Sequence, residues 1–197
     1  MGFAVKSGWA AAVLLAGPVA APRVLDSRRI ELSDPAIPES RQPYHAGTGT
    51  AREEGPALSR LLETVRRFGG HSVAELIRQH HDAQHYIVGG GVVVGSLIDP
   101  ATIANAHIRI HAREGQLFRR VVEDALAAAG IRCVVWRERD LYGIATAELR
   151  KWEKDVRAAV KTLGNAVEGA WRSEQKGATV AAWVVLSAAA IPSSSAR

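Results

Sequence analysis

The stretch "HIRIHAREG" carries two imidazoles and a carboxylate at helical spacing: His107, His111 four residues on, and Glu114 three further. Downstream, Leu117, Val121, Ala125 and Ala128 recur at the interval that defines the buried side of an amphipathic helix. At about 100° per residue that stripe runs back through Glu114, His111, His107 and Ile103. The same side therefore changes from apolar to ionisable along its length. Burying two imidazoles and a carboxylate without partners is costly, so the first half of this helix is expected to face a polar cleft. Two readings stay open. His107 and His111, one turn apart, could chelate a divalent metal, with Glu114 as a third ligand or a base. Alternatively, the three form a hydrogen-bonded network that caps the core.

Other residues could do chemistry elsewhere. "HHDAQH" contains His80, His81, Asp82 and His85, and His81 and His85 repeat the four-residue spacing; a second chelate and a solvated helix end both fit. Tyr44 and His45, in "RQPYHA", lie late in a long loop and are candidates for ligand binding or for anchoring that loop. Lys6 and Ser7, at the end of the first apolar run, would suit a phosphate or carboxylate, or sit solvated at a turn. Arg150, Lys154, Arg157 and Lys161 form a basic helical stripe, extended by Arg119, Arg120 and the further ligand-binding candidate Arg139. That stripe could follow a phosphate backbone or simply face water beside Glu148, Glu153 and Asp155. Trp152, Trp171 and Trp183 fall at apolar positions and are expected in the core, with no platform for stacking bases.

The elements that must position these groups follow from periodicity. "MGFAVKSGWAAAVLLAGPVAA" offers two readings: an export signal, or the first strands of a retained domain. Gly17 and Pro18 interrupt the apolar run, Pro22 fits badly after a cleaved bond, and "RVLDSRRIEL" alternates as a half-exposed strand does. Three strands and a cytoplasmic location are therefore expected. Residues 33–56, rich in Pro, Gly and Ser, read as a long loop. "ALSRLLETVRRFGG" reads as a helix stopped at Gly69-Gly70, and "HSVAELIRQHHDAQH" as a second helix capped by Ser72. "YIVGGGVVVGSLI" is a buried strand, residues 99–130 a long helical segment and "IRCVVWRERD" a short strand. "TAELRKWEKDVRAAVKTLG" is an amphipathic helix, and "GATVAAWVVLSAAAI" a buried helix too short to span a bilayer. The 197 residues are long enough for one domain over 1–191, with a disordered tail at 192–197. A net charge of +5 favours anionic partners. The single cysteine, Cys133, excludes an internal disulfide and a multi-cysteine zinc site, and reads as a buried thiol.

Three strands, helices, a strand, a long helix, a strand and further helices resemble the ribonuclease H-like superfamily, in particular the resolvases of Holliday junctions. The resemblance implies an α/β fold: a mixed sheet with a three-strand antiparallel meander plus two further strands, and helices packed on its faces. It also implies acids on the first strand, the fourth strand and the C-terminal helix. Here the first strand reads "FAVKSG", the fourth has no acid before Asp99, and Glu174 alone opens the last helix. Two-metal nuclease chemistry needs several converging carboxylates. "SGWA", "RQPYHA" and "HAREGQLFRR" are also similar to stretches of a family of high-GC bacterial proteins, a likeness that implies no activity. Two functional readings stand. One is a non-catalytic ribonuclease H-like module binding nucleic acid, another polyanion or a protein partner, including a second copy of itself. The other is a hydrolase of phosphorylated or nucleic-acid substrates working through His107, His111 and Glu114, with a divalent metal as the one cofactor suggested. Neither involves a membrane.

Overall fold

In the computed structural model, residues 1–47 and 50–190 are described. Five strands form one mixed sheet. β1 (Gly2–Lys6), β2 (Trp9–Ala16) and β3 (Arg23–Glu31) make the antiparallel meander, while β4 (Gly90–Val94) and β5 (Cys133–Arg137) add in parallel on the other side of β1. The order across the sheet is β3-β2-β1-β4-β5. The ends of β1, β4 and β5 therefore lie along one edge, where an open α/β sheet usually binds ligands.

Alternation along the strands decides which helices pack where. Phe3, Val5, Ala12, Leu14, Val92 and Val94 face α1 (Pro56–Asp82) and α2 (Ala106–Ala128). Ala4, Ala11, Val13, Leu15 and Val93 face α3 (Leu141–Leu149), α4 (Glu153–Leu163) and α5 (Ser173–Ala189). The second set is smaller, and α5 takes advantage of it. A Cβ on Gly2 would stand 1.9 Å from the Ala178 carbonyl oxygen, so only glycine allows the helix backbone so close to β1. The apolar run of α5 is buried on nearly all sides, as its lack of a polar face requires. Among the described residues no helix is long and apolar enough to cross a membrane.

Several expectations are corrected. Gly69-Gly70 does not end a helix: α1 runs unbroken from Pro56 to Asp82, and Ser72 lies inside it rather than capping a second one. Gly69 is there for packing, with Val121 Cγ1 2.7 Å and the Leu32 carbonyl 2.8 Å from where its Cβ would be. The segment 141–163 is two helices, not one. Arg150 closes α3 in the left-handed region (φ 52°, ψ 44°), and the chain restarts as α4 from Trp152. The basic series Arg150, Lys154, Arg157, Lys161 is thus not one helical stripe, because Arg150 belongs to the corner. Trp152 is not core but 73% exposed, whereas Trp183 is buried and Trp171 partly so. Cys133 is only half-buried, and burial pushes its thiol up to about 11. The tail at 192–197 lies outside the described residues.

Candidate functional site

Asn105 begins α2: its side-chain oxygen accepts the Ile108 amide at 3.0 Å, a typical N-cap. The face then presented to the sheet is Ile110, Glu114, Leu117, Phe118, Val121, Val122 and Leu126. Glu114 continues the buried stripe as its spacing predicts, and is completely inaccessible. His107 and His111 do not: both are exposed, while Ile110 between them is buried. The imidazole pair, expected to face a polar cleft, is exposed and lines a groove above a buried acid.

The partner that completes this arrangement comes from the long loop. The His45 Nδ1–H donates to Glu114 Oε1 at 2.8 Å. The His45 ring lies 4.8 Å from that of His111 and 6.3 Å from that of His107, centroid to centroid. His107 and His111 are themselves at contact, Nε2 to Nε2 3.2 Å. One ring nitrogen from each of the three histidines falls within 4.8 Å of the others. Arg52 holds the loop in place: its Nε donates to the Pro43 carbonyl at 2.9 Å and its Nη2 to the His45 carbonyl at 3.0 Å. His45 and Ala51 pair as a short antiparallel bridge. Tyr44, half-buried, packs against the core, with the Arg113 guanidinium 5.7 Å from its ring centre. The groove above is lined by Pro38, Glu39, Gln42, Arg52 and the three histidines.

Electrostatics follow from this burial. Loss of water raises the Glu114 carboxyl above its usual range, opposed by the hydrogen bond and charge of His45 and by the Tyr44 amide. Glu114 Oε2 is buried with no hydrogen-bond partner among the described residues. Partial burial, then the neighbouring charges of His45 and His107, lower His111.

The edge formed by the ends of β1 and β5 is different. Lys6 Nζ donates to Glu138 Oε2 at 3.2 Å, just beyond β5. Ser7 lies in the tight turn to β2, beside Gly8 at φ +81°. Glu174, near the start of α5, is held below the usual carboxylate range first by its own backbone amide and, more weakly, by the Lys6 charge. Arg139 projects into solvent from the turn after β5, with its Nε 3.8 Å from Asp140. With an ammonium at the end of β1, this edge does not fit a pair of divalent cations.

Lys154 and Lys161 are exposed on α4. Arg157 is committed: it pairs with Glu153 at 2.7 Å and stacks 3.7 Å above the Tyr142 ring. Of the second histidine group, His80 is buried with Nε2 3.2 Å from Asp26, His85 stacks towards His80, and His81 packs edge-on against Tyr86. His81 and His85 are thus engaged with different neighbours. Sequence reasoning missed Arg52, the exposure of Trp152 and the convergence of His45 on α2. Only the second carried a local signal, since Trp152 stands directly before the acidic first turn of α4, an N-terminal boundary.

No family model matches the chain, and no curated protein does. Solved structures do resemble it. A Thermus thermophilus RuvC in complex with a Holliday junction substrate aligns at a TM-score of 0.55, with 14% identity over 93% of this chain and 89% of that one. A second T. thermophilus RuvC structure aligns at 0.52, with 12% identity over 93% and 90% of the two chains. The five-strand mixed sheet with helices on both faces is therefore a RuvC-like, ribonuclease H-like fold.

Proposed function

We propose that the chain is a nucleic-acid-binding module built on the RuvC scaffold, acting without the carboxylate chemistry of that superfamily. The observation that carries this reading is the α3–α4 corner. Trp152 stands 73% exposed between Arg150, Lys151 and Lys154, and none of these three cations forms an ion pair among the described residues. An exposed indole among unpaired cations is the combination that holds a stacked base and its phosphates. The net charge of +5 and the likeness to a RuvC captured on a branched DNA support it. Lys6, paired with Glu138 where the resemblance places an acid, supports binding over cleavage. The hydrolase reading through His107, His111 and Glu114 is weaker, because Glu114 is sealed behind His45 and out of reach of a substrate. A cytoplasmic location accompanies this proposal.

Fluorescence anisotropy with a labelled four-way junction, a duplex and a single strand tests it. Binding is expected at low salt, weakening as salt rises. Trp152→Ala should cost about 1–3 kcal/mol for a stacked base, or roughly 5- to 150-fold in Kd, at unchanged thermal stability. Failure of all three probes to bind at low salt, or full binding by Trp152→Ala, rejects the reading.

A further inference from the structure

We propose that His45, His107 and His111 bind one zinc-class divalent transition metal through three imidazole nitrogens, leaving one coordination position open to the groove. This goes beyond the nucleic-acid reading and does not depend on it.

Geometry comes first. Two nitrogens that share a tetrahedral zinc at about 2.0–2.1 Å stand about 3.3 Å apart. His107 Nε2 and His111 Nε2 are 3.2 Å apart, already at chelate distance. Among the described residues neither ring has any other hydrogen-bond partner. One ring nitrogen from each histidine lies within 4.8 Å of the others, so the rings need to close by about 1.5 Å to share one ion. His107 and His111 are exposed, so their side chains can close that gap while His45 keeps its bond to Glu114.

The second observation is the buried carboxylate. Metal-bound histidines commonly donate their remaining ring N–H to a carboxylate, which fixes the tautomer and the ring direction. Glu114 does this for His45. By accepting from Nδ1 it leaves Nε2 as the lone-pair nitrogen. Glu114 is fully inaccessible, and its other oxygen has no hydrogen-bond partner among the described residues. A buried acid in that position is costly, and a dication attached through His45 would offset it. Glu114 is thus a positioning residue, not a ligand.

Ligand chemistry sets the metal class. Three neutral imidazoles suit Zn2+, Co2+, Ni2+ or Cu2+, and not Mg2+ or Ca2+, which prefer oxygen. With no anionic ligand the complex keeps its full double charge, so the open position would take water, hydroxide or an oxyanion. The ion would also fasten His45 to α2, reinforcing a contact that already spans 69 positions of chain.

Equilibrium dialysis of the full chain against Zn2+, with elemental analysis, tests this. One equivalent should be retained, and Zn2+ should raise the thermal midpoint by binding only the folded state. His107→Ala/His111→Ala and His45→Ala should each abolish retention. Because His107 and His111 are exposed, the double variant should unfold at the metal-free wild-type temperature, which separates ligand loss from misfolding. Glu114→Gln should still bind one equivalent at saturating Zn2+, with affinity lowered about 10- to 100-fold. Co2+-loaded protein should show the visible bands of a four-coordinate site, and these should shift when a small oxyanion is added. Retention by wild type no greater than by the double variant overturns the site. Unchanged affinity in Glu114→Gln overturns the role given to Glu114.

Discussion

Gly69 and Gly70 are adjacent in the middle of α1, and replacing each with alanine should move stability in opposite directions. In a helix interior, alanine is favoured over glycine by about 0.8–1.0 kcal/mol. At Gly70 nothing among the described residues outside the helix's own backbone lies within 4 Å of the added Cβ, so the full propensity gain should appear. At Gly69 the same methyl group meets Val121 Cγ1 at 2.7 Å and the Leu32 carbonyl oxygen at 2.8 Å. Val121 could rotate, but Leu32 is fully buried and its carbonyl belongs to the backbone, so helix and chain must separate. Overpacking of this kind costs about 1–3 kcal/mol, which outweighs the propensity gain. For a chain of this size 1 kcal/mol corresponds to about 2–4 °C in Tm. Gly70→Ala should therefore melt about 2–4 °C higher than the parent. Gly69→Ala should melt up to about 8 °C lower. Differential scanning calorimetry on both variants decides it. Equal stabilisation by the two substitutions would refute the idea that α1 crosses α2 and the end of β3 on a glycine contact.

Other expectations concern the site and its supports. Arg52→Ala removes both carbonyl tethers of the His45 loop; hydrogen exchange at the Ala46 and Arg52 amides should accelerate roughly 10- to 100-fold, as loss of charged hydrogen bonds implies, and unchanged exchange would show that the loop is held otherwise. Lys154→Ala/Lys161→Ala should lower the slope of log Kd against log salt by about 2 on DNA, and an unaltered slope would remove α4 from the interface. Burial, ahead of the opposing Asp26 charge, holds His80 below its ordinary 6.5. The unfolded chain then takes up a proton that the folded chain refuses, so stability should fall as pH drops through 6.5. His80→Gln should flatten that part of the Tm–pH profile, and an identical slope in the variant would place the acid sensitivity elsewhere.

The strands were legible because each carries its own signature: "GWAAAVLL" as an apolar run closed by Gly17-Pro18, β3 as an alternation, β4 as β-branched residues behind glycines. The meander and the two added strands followed from their order. The continuity of α1 was not legible, because a paired glycine reads as a stop unless its neighbour across the interface is known. Nor was the break at Arg150, where a residue other than glycine takes the left-handed conformation and no proline marks the corner. For the site, helical spacing placed Glu114 correctly on the buried face. It could not show that the buried stripe passes through Ile110 and leaves His107 and His111 exposed beside it. His45 meets Glu114 across 69 positions of chain, a contact made by loop closure and by Arg52, with no periodic trace in the sequence.

The outer strands of the sheet have a consequence for assembly errors. β3 is studded with Arg23, Asp26, Arg28, Arg29 and Glu31, so a second ribbon laid against it would meet a dense row of mixed charge. On the opposite rim β5 has only five residues, with Arg132 and Arg137 as its gatekeepers. Inside it lies β4, "GGVVV", uncharged and wholly buried. A chain caught before β5 docks would present that bare apolar edge to its neighbours, so aggregation during synthesis should begin there, and lengthening the α2–β5 connection should aggravate it.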